Sequence, residues 1–190
     1  MTKMFTEHPL LAPLNDYSFS NPRVRVITAD AFPWLDQNPG SFDFIVVDFP
    51  DPTNYSLGKL YTSAFYRLLK RHLAESGLVV VQSTSPMFSR QSYWCVVDTL
   101  KDAGFRTWPY HVYVPSFGEW GYTLAGPNSS DRPWSPPQKL PDGLRFLTIG
   151  TIPQMFDFPG DMQPVQAEVN RLNDQILVRY YEKEWKDIAR

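Results

Sequence analysis

Two aspartates, Asp48 and Asp51, lie three residues apart in the run Asp48-Phe49-Pro50-Asp51-Pro52. The prolines stiffen this run, since each fixes its own φ and restricts the residue before it. Carboxylates placed like this suit the binding and deprotonation of an amine. One can hold an ammonium while the other accepts the proton released as nitrogen forms a new bond. The alternative for each aspartate is local: a helix cap or an Asx turn on its own backbone. Other chemistry finds little support in the sequence. His8, His72 and His111 lack metal-ligand spacing, and no Ser/His/Asp grouping assembles. The single Cys95 excludes an internal disulfide framework and a multi-cysteine metal site, and its place beside Trp94 and Val96 suits a small core residue. Arg67, Lys70 and Arg71 form a basic helical face of the ordinary solvated kind.

The pair must be held by regular elements, and the pattern predicts them. Val24–Asp30 is β-branched and reads as a first strand, followed by a short helix near Ala31–Gln37. Phe42–Asp48 is nearly continuous in apolar residues, as a strand buried on both faces would be. Tyr61, Phe65, Leu68, Leu69 and Leu73 recur at helical spacing, with Gly77 as the expected stop. Leu78–Gln82 reads as a third strand, and a helix over Gln91–Ala103 should end at Gly104. Thr107–Val114 and Tyr122–Ala125 read as two further strands, joined by a turn containing Gly118 and Gly121. Strand–helix alternation implies βαβ units, while the last two strands are too close for a helical crossover and should pair antiparallel. The expected architecture is α/β: a Rossmann-like, mostly parallel sheet with an antiparallel edge strand. In such sheets ligands bind beyond the carboxyl ends of the strands, where Asp30, Asp48 and Gln82 would stand.

Residues 127–164 form a Pro-rich polar stretch with one apolar insert, Leu144–Ile152, and read as irregular structure wrapping the core. Val165, Val169, Leu172, Ile176 and Tyr180 share one helical face, which predicts a final helix packed on the domain. Residues 1–126 are thus expected to be a Rossmann-like domain and 127–190 an extension packed on it.

Composition narrows the class. The chain has 190 residues, 18 Lys+Arg against 20 Asp+Glu, 43% hydrophobic and 20% charged residues, so it folds and carries no basic field for nucleic acid. Six Trp, ten Tyr and thirteen Phe can fill a core or wall a pocket for cations and flat rings. No apolar run approaches the roughly 18 residues of a membrane span. The N-terminal residues, with Glu7 and Pro9, do not read as a signal peptide. A cytoplasmic location, or the cytoplasmic portion of a membrane-anchored parent, is the expectation.

Five motifs occur in order: Asp30-Ala31-Phe32; Asp48-Phe49-Pro50-Asp51-Pro52; Leu60-Tyr61-Thr62-Ser63-Ala64-Phe65-Tyr66; Gln82-Ser83-Thr84-Ser85-Pro86; and Val114-Pro115-Ser116-Phe117-Gly118-Glu119-Trp120-Gly121. Together they resemble the spermidine/spermine synthase family of polyamine aminopropyltransferases, in the bacterial branch often fused to an N-terminal membrane domain. The resemblance implies a class I methyltransferase-like fold. It also implies transfer of an aminopropyl group from decarboxylated S-adenosylmethionine, a co-substrate rather than a tightly bound cofactor, to putrescine or a related polyamine, releasing methylthioadenosine. By motif match, Asp48 is the expected proton acceptor and Asp51 an ammonium ligand. Asp30 and Ala31 are expected on the adenine, and Gln82 as a polar pocket residue. Both substrates are cations, so carboxylates should anchor them while Tyr55, Phe117 and Trp120 supply aromatic faces.

The sequence also departs from the pattern. No glycine precedes Gly40, so the family's Gly-rich nucleoside loop is missing, and the chain reads as beginning inside the domain without its first two strands. Residues Thr2–Asn15 resemble the helix that follows the family's ribose-binding acid. Asn54-Tyr55 stands where classical members carry Gly-Pro, and Phe117 lies near a family tyrosine. Open sheet edges are expected to favour a homo-oligomer or swapped dimer. Two rival readings stay open: an S-adenosylmethionine-dependent N-methyltransferase, and a non-catalytic remnant or interaction domain.

Overall fold

The computed structural model describes residues 2–128 and 135–188. In chain order the elements are α1 (Thr2–Glu7), α2 (Ala31–Gln37), β1 (Phe42–Val47), α3 (Tyr55–Gly58), α4 (Ser63–Arg71), β2 (Leu73–Gln82), α5 (Arg90–Asp102), β3 (Phe105–Val114), β4 (Gly118–Pro127), α6 (Thr151–Met155) and α7 (Ile176–Ile188). The chain divides into two compact units, residues 1–34 and 35–190. No helix among the described residues is long and apolar enough to cross a membrane.

In the N-terminal unit the helix expected over Thr2–Asn15 is shorter: α1 stops at Glu7, before Pro9, and a 3₁₀ turn covers Ala12–Asn15. Pro9 and Pro13 each remove an N–H that a continuous helix needs. Val24–Asp30 is not a strand. Strand propensity yields a strand only where a neighbouring segment takes the ladder hydrogen bonds, and no described segment pairs with this one.

The larger unit is built on a four-stranded sheet in the order β1-β2-β4-β3. β1 and β2 pair in parallel, and β4 runs antiparallel to both β2 and β3. Three strands therefore point one way and the reversed strand lies one place in from the β3 edge. The β3–β4 connection is only Pro115–Phe117, too short for a crossover, so antiparallel pairing follows. Gly118, at φ +79°, opens β4, and Gly121 lies within that strand rather than in the turn.

Two further differences concern β1 and β2. β1 is an edge strand, not one covered on both faces: Phe44 is 56% and Val46 64% exposed. A continuous apolar run cannot distinguish a central strand from an edge strand, because the difference lies in what covers it. Gly77 belongs to β2 instead of stopping a helix. α4 ends earlier, at Arg71, where buried His72 places its two ring nitrogens 2.9 Å from the carbonyls of Leu68 and Asn38. A register irregularity between Phe42 and Phe44 then lets β2 begin at Leu73. α5 ends as expected, with Gly104 left-handed at φ +86°.

The core lies where α4 and α5 meet the sheet. Phe65 and Tyr66 of α4, Val79 and Val81 of β2, Val97 and Leu100 of α5, and Phe105 of β3 are all within 2% of full burial. Residues 135–164 add Phe158 and Met162 to a cluster with Tyr93, Trp94 and Val97. The final helix is α7 alone; Val165–Leu172 approaches it as irregular chain. Its polar backbone there is used by distant partners: Asn170 N donates to Thr99 Oγ1 at 2.9 Å, and the carbonyl of Asn170 accepts from Ser63 N at 3.0 Å. Those bonds compete with a helix, so the apolar spacing through this segment misleads.

Gly121 sits under the Tyr93 ring, where an added Cβ would overlap that ring and lie 2.8 Å from the Thr84 carbonyl oxygen. Gly121→Ala is expected to destabilise the fold by about 1–3 kcal/mol, as overpacked sites do. A lowered urea midpoint with an unchanged m-value would register the loss; an unchanged midpoint would show that the site yields.

Candidate functional site

The sheet register assembles the site. Val47, the last residue of β1, pairs with Val81 of β2, so Asp48 leaves the sheet beside Gln82, the last residue of β2. Gln82 in turn pairs with Tyr122 of β4, and Tyr122 with Tyr110 of β3. Directly opposed residues share a sheet face. A row of Gln82, Tyr122 and Tyr110 thus runs across three strands, ending at the carboxyl edge where Asp48 emerges. The Tyr110 and Tyr122 rings stack at 5.4 Å and 18°.

Asp51 is the centre of the hydrogen bonding. Its Oδ1 accepts from Gln82 Nε2 at 2.9 Å, and its Oδ2 accepts from the Tyr181 hydroxyl of α7 at 2.8 Å. Gln82 Oε1 lies 3.1 Å from the Tyr61 hydroxyl, which is also 3.1 Å from the carbonyls of Phe49 and Pro50. One phenol thus sits among three acceptors and ties the acidic loop to the end of β2. The Asp51 side chain makes neither a cap nor an Asx turn; Asn54 caps α3 instead, accepting from Leu57 N at 3.1 Å. Asp48 is exposed, and no hydrogen bond or ion pair holds its carboxylate among the described residues. No lysine or arginine among them pairs with either aspartate.

The electrostatics match this geometry. Burial first, then the negative charges of Asp51 and Asp48, hold the Tyr61 phenol far above its ordinary value. Burial and then Asp51 do the same for Tyr181. For Tyr122 burial comes first and the Asp48 charge second. A single negative field therefore reaches three tyrosines from three elements. Each of the three is thereby held toward its neutral, protonated form.

Beyond Gln82 the chain turns through Thr84, which is buried and left-handed at φ +61°. The turn is fixed by Ser83 N donating to the Gly121 carbonyl at 2.9 Å and Gly121 N donating to the Thr84 carbonyl at 2.7 Å. A non-glycine residue in this region stores strain of order 1–3 kcal/mol, a feature that clusters at functional sites. Cys95 is buried in α5 and its thiol is pushed up to about 12 by burial, consistent with a core residue.

The remaining expected residues are placed as follows. Phe117 and Trp120 pack ring to ring at 5.4 Å on the β3–β4 hairpin, with Phe117 63% exposed. Trp120 shares the Tyr122 face by strand alternation, but among the described residues no ring contact joins it to the tyrosines. Tyr55 is the first residue of α3 and is 59% exposed. Asp30 and Ala31 belong to the N-terminal unit, where Asp30 Oδ1 accepts from Phe32 N at 3.1 Å in the local manner of an Asx turn. Sequence reasoning missed Tyr61, Tyr122 and Tyr181 as site residues. Tyr61 reads as a core position of a helix and Tyr122 as a strand residue. The only signal for Tyr181 is a hydroxyl-bearing ring four residues after buried Leu177 on the inward face of α7.

Comparison with known proteins gives a consistent picture. The spermine/spermidine synthase domain matches residues 3–131. Polyamine aminopropyltransferase 2 of Ralstonia nicotianae is 54% identical over 190 residues, covering 100% of this chain and 37% of that protein. The polyamine aminopropyltransferase of Leptospira interrogans is 50% identical over 188 residues, with 99% and 37% coverage. This chain thus spans a little over one third of the length of these relatives. Among solved structures, a spermidine synthase in complex with the transition-state analogue AdoDATO has a TM-score of 0.52 at 23% identity, covering 63% of this chain and 44% of that one. The spermidine synthase of Thermotoga maritima has a TM-score of 0.51 at 22% identity, covering 63% and 43%. These two establish a shared fold.

The buried phenols make the fold sensitive to alkali. Unfolded, each ionises near the ordinary ~10; folded, burial holds Tyr110 neutral up to about 12 and Tyr66 and Tyr93 well above their ordinary value. Stability present below pH ~10 is therefore lost as pH rises through and beyond that value, because only the unfolded chain can release these protons. Urea midpoints measured at pH ~8 and ~11 should fall at the higher pH, and equal midpoints would contradict the burial.

Proposed function

The chain belongs to the spermine/spermidine synthase domain family, and from that membership we propose that it carries the acceptor side of an aminopropyl transfer. In this reading, an amine of putrescine or a related polyamine attacks the carbon beside the sulfonium of decarboxylated S-adenosylmethionine. The new C–N bond forms as the C–S bond breaks, the electron pair passes to sulfur, and methylthioadenosine leaves. Support comes from the names of relatives at 50–54% identity. The observation that carries it is the pair Asp48 and Asp51, in one short loop after β1 with no cationic partner among the described residues. Carboxylates without a countercharge suit a ligand that brings its own.

Their different surroundings support a division of roles. Asp51 is held from two sides and half-buried, which suits fixed binding of an ammonium. Asp48 is exposed and unheld, which suits a group that must reach a reacting nitrogen. A resting alkylammonium, like that of lysine at ~10.4, keeps its proton near neutral pH, so Asp48 acts later in the step. It accepts the proton as nitrogen becomes acidic during C–N bond formation. Gln82 sets Asp51 in place, while Phe117, Trp120 and Tyr55 are the proposed aromatic faces toward the cationic substrates. Asp30 and Ala31 are assigned to the adenine by motif. The co-substrate is consumed in turnover, so no tightly held cofactor is part of this reading.

Incubating a full-length protein that carries this chain with putrescine and decarboxylated S-adenosylmethionine should yield methylthioadenosine. Asp48→Asn should lower that rate by about 10²- to 10⁴-fold, the usual contribution of a positioned base. Adenosylhomocysteine formed from ordinary S-adenosylmethionine would favour methyl transfer instead. No product from either donor would leave a non-catalytic interaction domain.

A further inference from the structure

We propose that Tyr181 of α7 is a positioning residue for the acceptor amine, acting through Asp51; this rests on the reading that Asp51 receives an ammonium. Tyr181 lies 130 residues from Asp51 in sequence, yet its hydroxyl donates to Asp51 Oδ2 at 2.8 Å while Gln82 donates to Oδ1 at 2.9 Å. A carboxylate offers about four acceptor positions. With one donor on each oxygen, from two different elements, the plane of the Asp51 carboxylate is fixed and the two remaining positions point in set directions. Both donors are neutral, so the charge of Asp51 is oriented without being cancelled. The Tyr181 proton stays in place because burial and the adjacent carboxylate oppose its loss.

Tyr181 is itself rigidly supplied. Its ring packs on Trp185 at 5.7 Å. One turn on, the Glu184 carboxylate accepts from Gln91 N at 2.6 Å, from Ser92 N at 3.2 Å and from Ser92 Oγ at 2.6 Å, closing the amino end of α5. At the start of α7, Leu177 N donates to Asn170 Oδ1 at 3.2 Å while Asn170 Nδ2 donates to the Gly58 carbonyl of α3 at 3.3 Å. Gly58 also lets Val178 approach; a Cβ there would stand 2.5 Å from its Cγ2. α7 is thus pinned both to the helix that follows the acidic loop and to α5, and its inward tyrosine is delivered to one carboxylate oxygen.

The test uses Tyr181→Phe, which removes only the hydroxyl, and follows both turnover and calorimetric binding of 1,4-diaminobutane to the whole chain. The expected result is a KM for the diamine raised about tenfold and diamine binding weakened by a similar factor. The KM for decarboxylated S-adenosylmethionine, kcat at saturating diamine and the melting temperature should each stay near wild type. An unchanged diamine KM in a variant of an active wild type overturns this inference and leaves the aminopropyl-transfer reading standing. A melting temperature that falls with both KM values and kcat also overturns it, showing a role in folding alone. A wild type that binds the diamine without turnover, and binds it tenfold more weakly as Tyr181→Phe, upholds Tyr181 while removing aminopropyl transfer. A wild type that neither binds nor turns over removes both.

Discussion

A half-buried carboxylate held between two neutral donors governs the arrangement around it. Asp51 takes one hydrogen bond from Gln82 and one from Tyr181, which satisfy part of its desolvated oxygen surface but leave its charge in place. An arginine there would form a stable bidentate pair and end the matter. With amide and phenol instead, the negative charge is left uncancelled, and after burial Asp51 is the next cause that raises the phenols of Tyr61 and Tyr181. The site is therefore preorganised for a cation by hydrogen bonds that orient charge without neutralising it.

That arrangement depends on parallel pairing between β1 and β2. The two strands end together because Val47 and Val81 are in register, so the acidic loop leaves the sheet beside Gln82. Tyr61 then bridges the two, its hydroxyl among the carbonyls of Phe49 and Pro50 and the Gln82 amide oxygen. A slip of one residue would turn Gln82 to the opposite face and break the chain of contacts. Register and site chemistry are here one constraint.

The C-terminal segment contributes to the same end of the molecule through polar anchors more than through bulk. Asn170 is fully buried and joins α3, α4, α5 and α7 through its backbone and side chain. Glu184 closes α5, and Trp94 Nε1 donates to the Met162 carbonyl at 3.0 Å. Such buried bonds are costly to leave half made, so the segment docks in one way and places Tyr181 reproducibly.

Much of this was legible in the chain by itself. The bounds of α2, β1 and α5, the antiparallel hairpin and the placing of two carboxylates after a strand all follow from short-range periodicity, the helix stop at Gly104 and loop length, which are properties of neighbouring residues. Tertiary structure decided the rest. Among the described residues Val24–Asp30 has strand propensity but no partner strand, β1 has an apolar run but one exposed face, and Val165–Leu172 has helical spacing but gives backbone bonds to α4 and α5. The gathering of Tyr61, Tyr122 and Tyr181 around the carboxylates was likewise invisible. Propensity and period are carried by a few consecutive residues, whereas a ladder partner, a covering layer or a hydrogen bond between positions 51 and 181 exists only once the whole chain has closed on itself.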